Sequence, residues 1–118
     1  MKYVMLIHHR GVPTPESDEW QDLPADERAA VSRGYQAVNQ TAGVTPGHRL
    51  HPPETATTVR VEDGKVLVTD GPFVSAKEAI GGYLLFEADS LEEAIELASR
   101  IPTARRGGAV EIRQAKGE

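Results

Sequence analysis

A chain of 118 residues without a cysteine has neither disulfides nor a thiolate metal site to rest on, and its length suits a single domain, residues 1–118, built on one core. Its net charge of −5 with scattered basic residues offers no footprint for nucleic acid, so a small neutral or cationic ligand, or a protein, is the expected partner. The apolar start YVMLI is too short for a secretory segment, and no run approaches the roughly 20 apolar residues that span a bilayer, so a cytoplasmic protein without membrane contact is expected.

The segment Lys2 to His8, KYVMLIH, alternates Tyr3, Met5 and Ile7 with Val4 and Leu6, which predicts a central strand apolar on both faces. The Pro-rich and acidic stretch that follows is long for a connection and predicts a binding loop with one helical turn around Trp20. From Ala25 to Ala42 the positions Val31, Tyr35, Val38 and Ala42 line one face of a helix, with Gly43 as its stop. VTPGHRLHPP is turn-rich and reads as a short extended piece at most.

In TATTVRVEDGKVLVTD, Asp63-Gly64 predicts a two-residue hairpin turn that pairs Glu62 with Lys65, Val61 with Val66, Val59 with Val68 and Thr57 with Asp70. The valine-bearing face then carries Asp70 at its end, with the Thr57 hydroxyl opposite as a donor. Gly81 to Ala88 is a second strand apolar on both faces. Ser90 and Glu93 predict a capping box for a helix that turns Leu91, Ala94, Ile95 and Ala98 inward and stops at Pro102. Gly108 to Arg113 alternates as an edge strand does.

With the first hairpin strand set aside as an extra edge strand, the order is β-α-β-β-α-β, an α+β ferredoxin-like arrangement. The expected sheet order is last strand, first strand, Gly81–Ala88, Lys65–Asp70, and then Thr57–Val61 outermost. Two helices cover one face of such a sheet, so a second copy of the chain is expected on the other, giving a homodimer through the sheet face.

Thr69 to Phe73 (TDGPF), Lys77-Glu78, Gly81 to Tyr83 (GGY) and SLEEAIELASRIP together resemble the YCII-related family, in its DGPF-motif branch, over nearly the whole chain. The resemblance implies a ferredoxin-like dimeric α+β barrel, similar to the muconolactone-isomerase type, in a family that includes a dehydrochlorinase and has a suggested His–Asp pair in a cleft. Some DGPF members accompany extracytoplasmic-function sigma factors. Only Asp70 and the Gly71-Pro72 turn match the motif directly, because no histidine lies between Ala25 and Ala42, where the family's helix histidine stands.

In the expected sheet the first strand and Lys65–Asp70 run parallel, which brings His8 and Asp70 to one edge with backbones roughly 10 Å apart. That points to Asp70 and His8 as the acid–base pair. Arg10 or Lys77 would hold an oxyanion, Trp20 would close over the cleft, and Thr57 and Phe73 would line it. Asp before Gly-Pro is also a favoured turn starter. His8, His9, His48 and His51 have spacings that place neighbours on opposite faces, so no metal is expected, and no cofactor motif is found. Two readings follow: a small cofactor-independent enzyme of isomerase or lyase type, or a non-catalytic dimeric binding or regulatory module linked to sigma-factor control.

Overall fold

A computed structural model describes residues 1–15, 17–74 and 79–116. Among the described residues six strands and three α-helices follow in the order β1 (Lys2–His8), α1 (Ala25–Asn39), β2 (Val44–Arg49), β3 (Thr57–Glu62), β4 (Lys65–Asp70), β5 (Ile80–Glu87), α2 (Leu91–Ser99), α3 (Pro102–Arg105) and β6 (Ala109–Gln114). One sheet has the order β2-β5-β1-β6 with every neighbouring pair antiparallel; β3 and β4 form a separate two-stranded hairpin. The sheet with its crossover helices is the ferredoxin-like α+β arrangement, and the two strands apolar on both faces, β1 and β5, hold its middle as the alternation required.

The place expected for Lys65–Asp70 belongs to β2, and this corrects the sheet order. Pro46 lacks an N–H, which only an edge strand or bulge tolerates, and β2 is an edge strand whose pairing with β5 shifts between Pro46 and Arg49. At Gly47 an added Cβ would stand 2.1 Å from the Tyr83 carbonyl oxygen, so the glycine that looked like a turn signal instead permits close approach to β5. With β2 in place the hairpin is left outside the sheet. Its register is the expected one, Thr57 opposite Asp70 through Glu62 opposite Lys65, and Asp63 (φ 51°) with Gly64 (φ 76°) forms the two-residue turn. Its valine face is open in the single chain, however, and Asp70 is exposed rather than buried.

Tyr3, Met5 and Ile7 of β1, with Leu84 and Phe86 of β5, pack against Val38 of α1, Ala94, Leu97 and Ala98 of α2, and Ile101. Helices α1 and α2 therefore lie on the same side of the sheet. On the other side Val4, Leu6 and Leu85 are half-buried and Tyr83 is exposed. The helical turn expected around Trp20 is a 3-10 helix, Asp18–Asp22, and it buries the Trp20 side chain.

The start of α2 is held by the Ser90 hydroxyl, which accepts from the Glu93 N–H at 3.2 Å, while the Glu93 carboxylate accepts from the Asp89 N–H at 3.3 Å. The inward stripe of the helix is Ala94, Leu97 and Ala98. Leu91 and Ile95, expected inward, are 48% and 52% exposed. Leu97→Ala is accordingly expected to cost about 2–5 kcal/mol in urea unfolding, and Ile95→Ala less than about 0.5 kcal/mol. Equal losses would mean that the packing face of α2 is turned.

Candidate functional site

Alternation along β1 places odd residues on the helix side, so His9, the residue just past the strand, continues the line of Tyr3, Met5 and Ile7. At that point the pairing of β1 with β5 slips: Ile7 faces Gly82 but His8 faces Ile80, leaving Gly81 over. The His9 ring occupies the room above Gly81. A Cβ on Gly81 would stand 2.0 Å from His9 Cδ2 and 2.6 Å from Nε2.

From there a row of polar side chains runs into the helix layer. His9 Nδ1 lies 3.1 Å from Thr103 Oγ1, and the same oxygen shares a hydrogen bond with the Tyr35 hydroxyl. Thr103, in α3, is buried, and its position relies on Gly108, where a Cβ would come within 2.4 Å of its methyl group. Gly34 lets α1 approach α3, since a Cβ there would meet Pro102 at 2.7 Å. Burial pushes the Tyr35 phenol above its ordinary value of 10.0; the hydrogen bonds with Thr103 and the positive charge of Arg49 pull it back only in part.

This row forms one wall of a cleft of about 650 Å³, also lined by Trp20, Arg49 and Arg106. Arg106 is tied to Glu27 at 2.8 Å. His9 also borders a neighbouring cleft of about 470 Å³, lined by Arg10, His51 and Asp18, so its ring stands in the partition between the two. A third cleft, of about 460 Å³, takes in Thr57 and Phe73 at the root of the hairpin. The Phe73 ring there is 75% exposed, with the Arg60 guanidinium 5.9 Å from its centroid.

The residues singled out from sequence are thus distributed rather than gathered. Trp20 reaches the His9 cleft, Arg10 its neighbour, and Thr57 with Phe73 the third; Lys77 lies outside the described residues. His8 points to the open face of the sheet, its Nε2 3.3 Å from the Glu111 carboxylate. Asp70 belongs to the hairpin, so the shared sheet edge that joined it to His8 does not exist in this topology. His9, Tyr35, Arg49 and Thr103 were missed. The parity of β1 alone could have preferred His9 to His8, whereas Thr103 carries no signal in the sequence.

The YCII-related domain family matches residues 1–116. Uncharacterized protein R00369 of Rhizobium meliloti (strain 1021) is 31% identical over 115 residues, covering 96% of this chain and 90% of that protein. Among solved structures, 5-chloro-2-hydroxyhydroquinone dehydrochlorinase (TftG) from Burkholderia phenoliruptrix AC1100, in complex with 2,5-dihydroxybenzoquinone, is 18% identical with a TM-score of 0.49, covering 100% of this chain and 96% of that one.

The tyrosine shift has a measurable consequence. Because the folded-state value is raised, the contribution of Tyr35 to stability is full below the unfolded value of 10.0 and is lost as pH rises through the higher folded value. In an ultraviolet phenolate titration one of the three tyrosines should ionise last, and Tyr35→Phe should remove that step. A last step that survives Tyr35→Phe would place the buried phenol elsewhere.

Proposed function

The chain belongs to the YCII-related family, and we propose that it is a cofactor-independent acid–base protein that binds a small organic molecule in the His9 cleft and moves a proton to or from it. The observation that carries this reading is the hydrogen-bonded row His9–Thr103–Tyr35 in the wall of a cleft that also contains Arg49 and Trp20.

A threonine hydroxyl has one proton to give and lone pairs to accept, so it can relay between its neighbours. With burial keeping Tyr35 protonated, its O–H donates to Thr103, whose own proton is directed to His9 Nδ1. That tautomer leaves the ring proton on Nε2. Nε2–H is then the group that gives a proton to a bound oxygen or carbon. Nδ1 recovers one from Thr103, and Thr103 from Tyr35, so the positive charge of Arg49 lies where the phenolate develops.

The same arginine favours a ligand with a carboxylate or phenolate oxygen, and Trp20 favours a flat one. The presence of Arg49 in the lining thus points to an anionic ligand, where the chain's net negative charge alone suggested a neutral or cationic one. In this reading the acid–base role passes from Asp70 and His8 to His9 and Tyr35.

Trp20 is the only tryptophan in the chain, so its fluorescence reports on the cleft without labelling. Hydroxybenzoates and enolisable keto acids should quench it, and Arg49→Ala should weaken that binding by about tenfold, as loss of one charge-assisted hydrogen bond does. Wild type should also speed the exchange of a bound keto acid's α C–H for deuterium in D2O, because a proton given from Nε2 to the carbonyl oxygen acidifies that C–H, with His9→Ala losing the exchange by a factor of about 10²–10⁴. Quenching without any exchange would sink the enzyme reading and leave a binding module. Neither quenching nor exchange would remove the cleft from consideration.

A further inference from the structure

The two clefts that meet at the His9 ring differ in charge. The smaller is bordered by the carboxylates of Asp18, Glu19 and Glu54 as well as by Arg10 and His51. The larger, among the described residues that line it, has Arg49 and Arg106 and no Asp or Glu. Helix α1 and its C-cap add Gln36, Asn39 and Gln40, which form hydrogen bonds without carrying charge. A chain of net charge −5 thus sets two cations in one cleft and its carboxylates in the next.

The acid–base chemistry uses Arg49 and leaves Arg106 without a task. Arg106 follows α3 directly, and its N–H donates to the Thr103 carbonyl at 3.2 Å, so the turn that carries the Thr103 hydroxyl also carries this guanidinium. The side chain is 25% exposed, and Glu27 of α1 holds Nη2 at 2.8 Å. A carboxylate paired fork to fork would answer Nε and Nη2 together; here Nε is buried and, among the described residues, has no acceptor. Such a donor is costly, because the charged group has given up hydration at Nε and gained no bond there. Arg49 ends β2, an edge strand of the sheet, whereas Arg106 is held between α3 and α1, so the two cations border the cleft from different layers.

We infer that the ligand of the His9 cleft is a flat organic diacid, with one anionic group on Arg49 and a second, separate one on Arg106. The inference specifies the ligand class for the acid–base reading and rests on the cleft named there, but not on the proton transfer. The second group supplies an acceptor to a guanidinium that the folded chain answers only in part, and Glu27 is the positioning residue that holds it in the wall. The carboxylates of the smaller cleft repel the same ligand and so direct it to the Tyr35 side of the ring. A monoacid finds its place at Arg49 and gains nothing from Arg106.

Trp20 fluorescence can follow the binding of benzoate, isophthalate and phenyl phosphate to the whole chain at one fixed ionic strength. Isophthalate, with two separate carboxylates, is expected to bind about tenfold more tightly than benzoate, the increment of one charge-assisted hydrogen bond. Phenyl phosphate, with its charge on one group, should bind about as benzoate does. Arg106→Gln should remove the preference for isophthalate, with the loss falling on isophthalate. Arg106→Lys, which keeps a charge opposite Glu27 but not the planar fork, should retain only part of it. Arg49→Ala should weaken benzoate and isophthalate together. The inference would be overturned by wild type that binds isophthalate no better than benzoate, by phenyl phosphate binding as tightly as isophthalate, or by a preference that survives in Arg106→Gln. The wild-type comparison needs no variant to fold. Selection of isophthalate without C–H exchange on any keto acid would keep the diacid and remove the enzyme; exchange without that selection would remove the diacid alone.

Discussion

Between Ile7 and His8 the pairing of β1 with β5 slips by one residue, leaving Gly81 without a partner, and the geometry of the cleft depends on that slip. Strict pairing would carry β5 past the end of β1 with a side chain in the space where the His9 ring lies. The bulge instead presents an α-carbon without a Cβ, and the ring settles on it. Thr103 can then reach Nδ1 because Gly108 opens the chain between α3 and β6, and Tyr35 can reach Thr103 because Gly34 lets α1 approach Pro102. Three missing Cβ atoms, in β5, in α1 and in the connection before β6, thus bring one polar row together at the end of an apolar core.

What could be read from the sequence divides along the same physical line. Local pairing was legible: the hairpin's register follows from Asp63-Gly64 alone, because a two-residue turn with both residues at positive φ fixes every opposing pair behind it. The capping of α2 at Ser90 was equally local. The inward face of α2 was not, since Leu91, Ile95 and Leu97 allow more than one stripe. The neighbouring elements selected the one that puts Leu97 against Met5 and Ile101 in the core.

The sheet edge was the costliest omission. Val44–Arg49 has Pro and Gly at adjacent positions, which on a central strand would remove a ladder hydrogen bond and a packing side chain. On an edge the first loss faces solvent and the second is useful, because Tyr83 occupies the space. Edge strands are governed by weaker rules than central ones, and a sequence pattern cannot tell which strand will be the edge before the topology is known. Once β2 takes that place, the hairpin has no position in the sheet, and the pairing of His8 with Asp70 goes with it.

The stretch TDGPF therefore has a conformational task that precedes any chemistry. Gly71, at φ 101°, adopts a backbone that other residues rarely enter; its N–H donates to the Ala56 carbonyl at 2.7 Å, and its own carbonyl accepts the Thr58 hydroxyl at 2.7 Å. Those two bonds close the root of the hairpin across both strands, and Pro72 follows with a fixed φ. A root with that much local definition sets the direction in which the hairpin leaves the domain. The motif is in that respect comparable to the bulge at Gly81: each uses a glycine to set an angle, one for a histidine entering the cleft and the other for an arm leaving the fold. Asp70, at the last pair of the ladder, belongs to the hairpin rather than to the sheet, so the turn that begins at Gly71 fixes where its carboxylate stands relative to the domain.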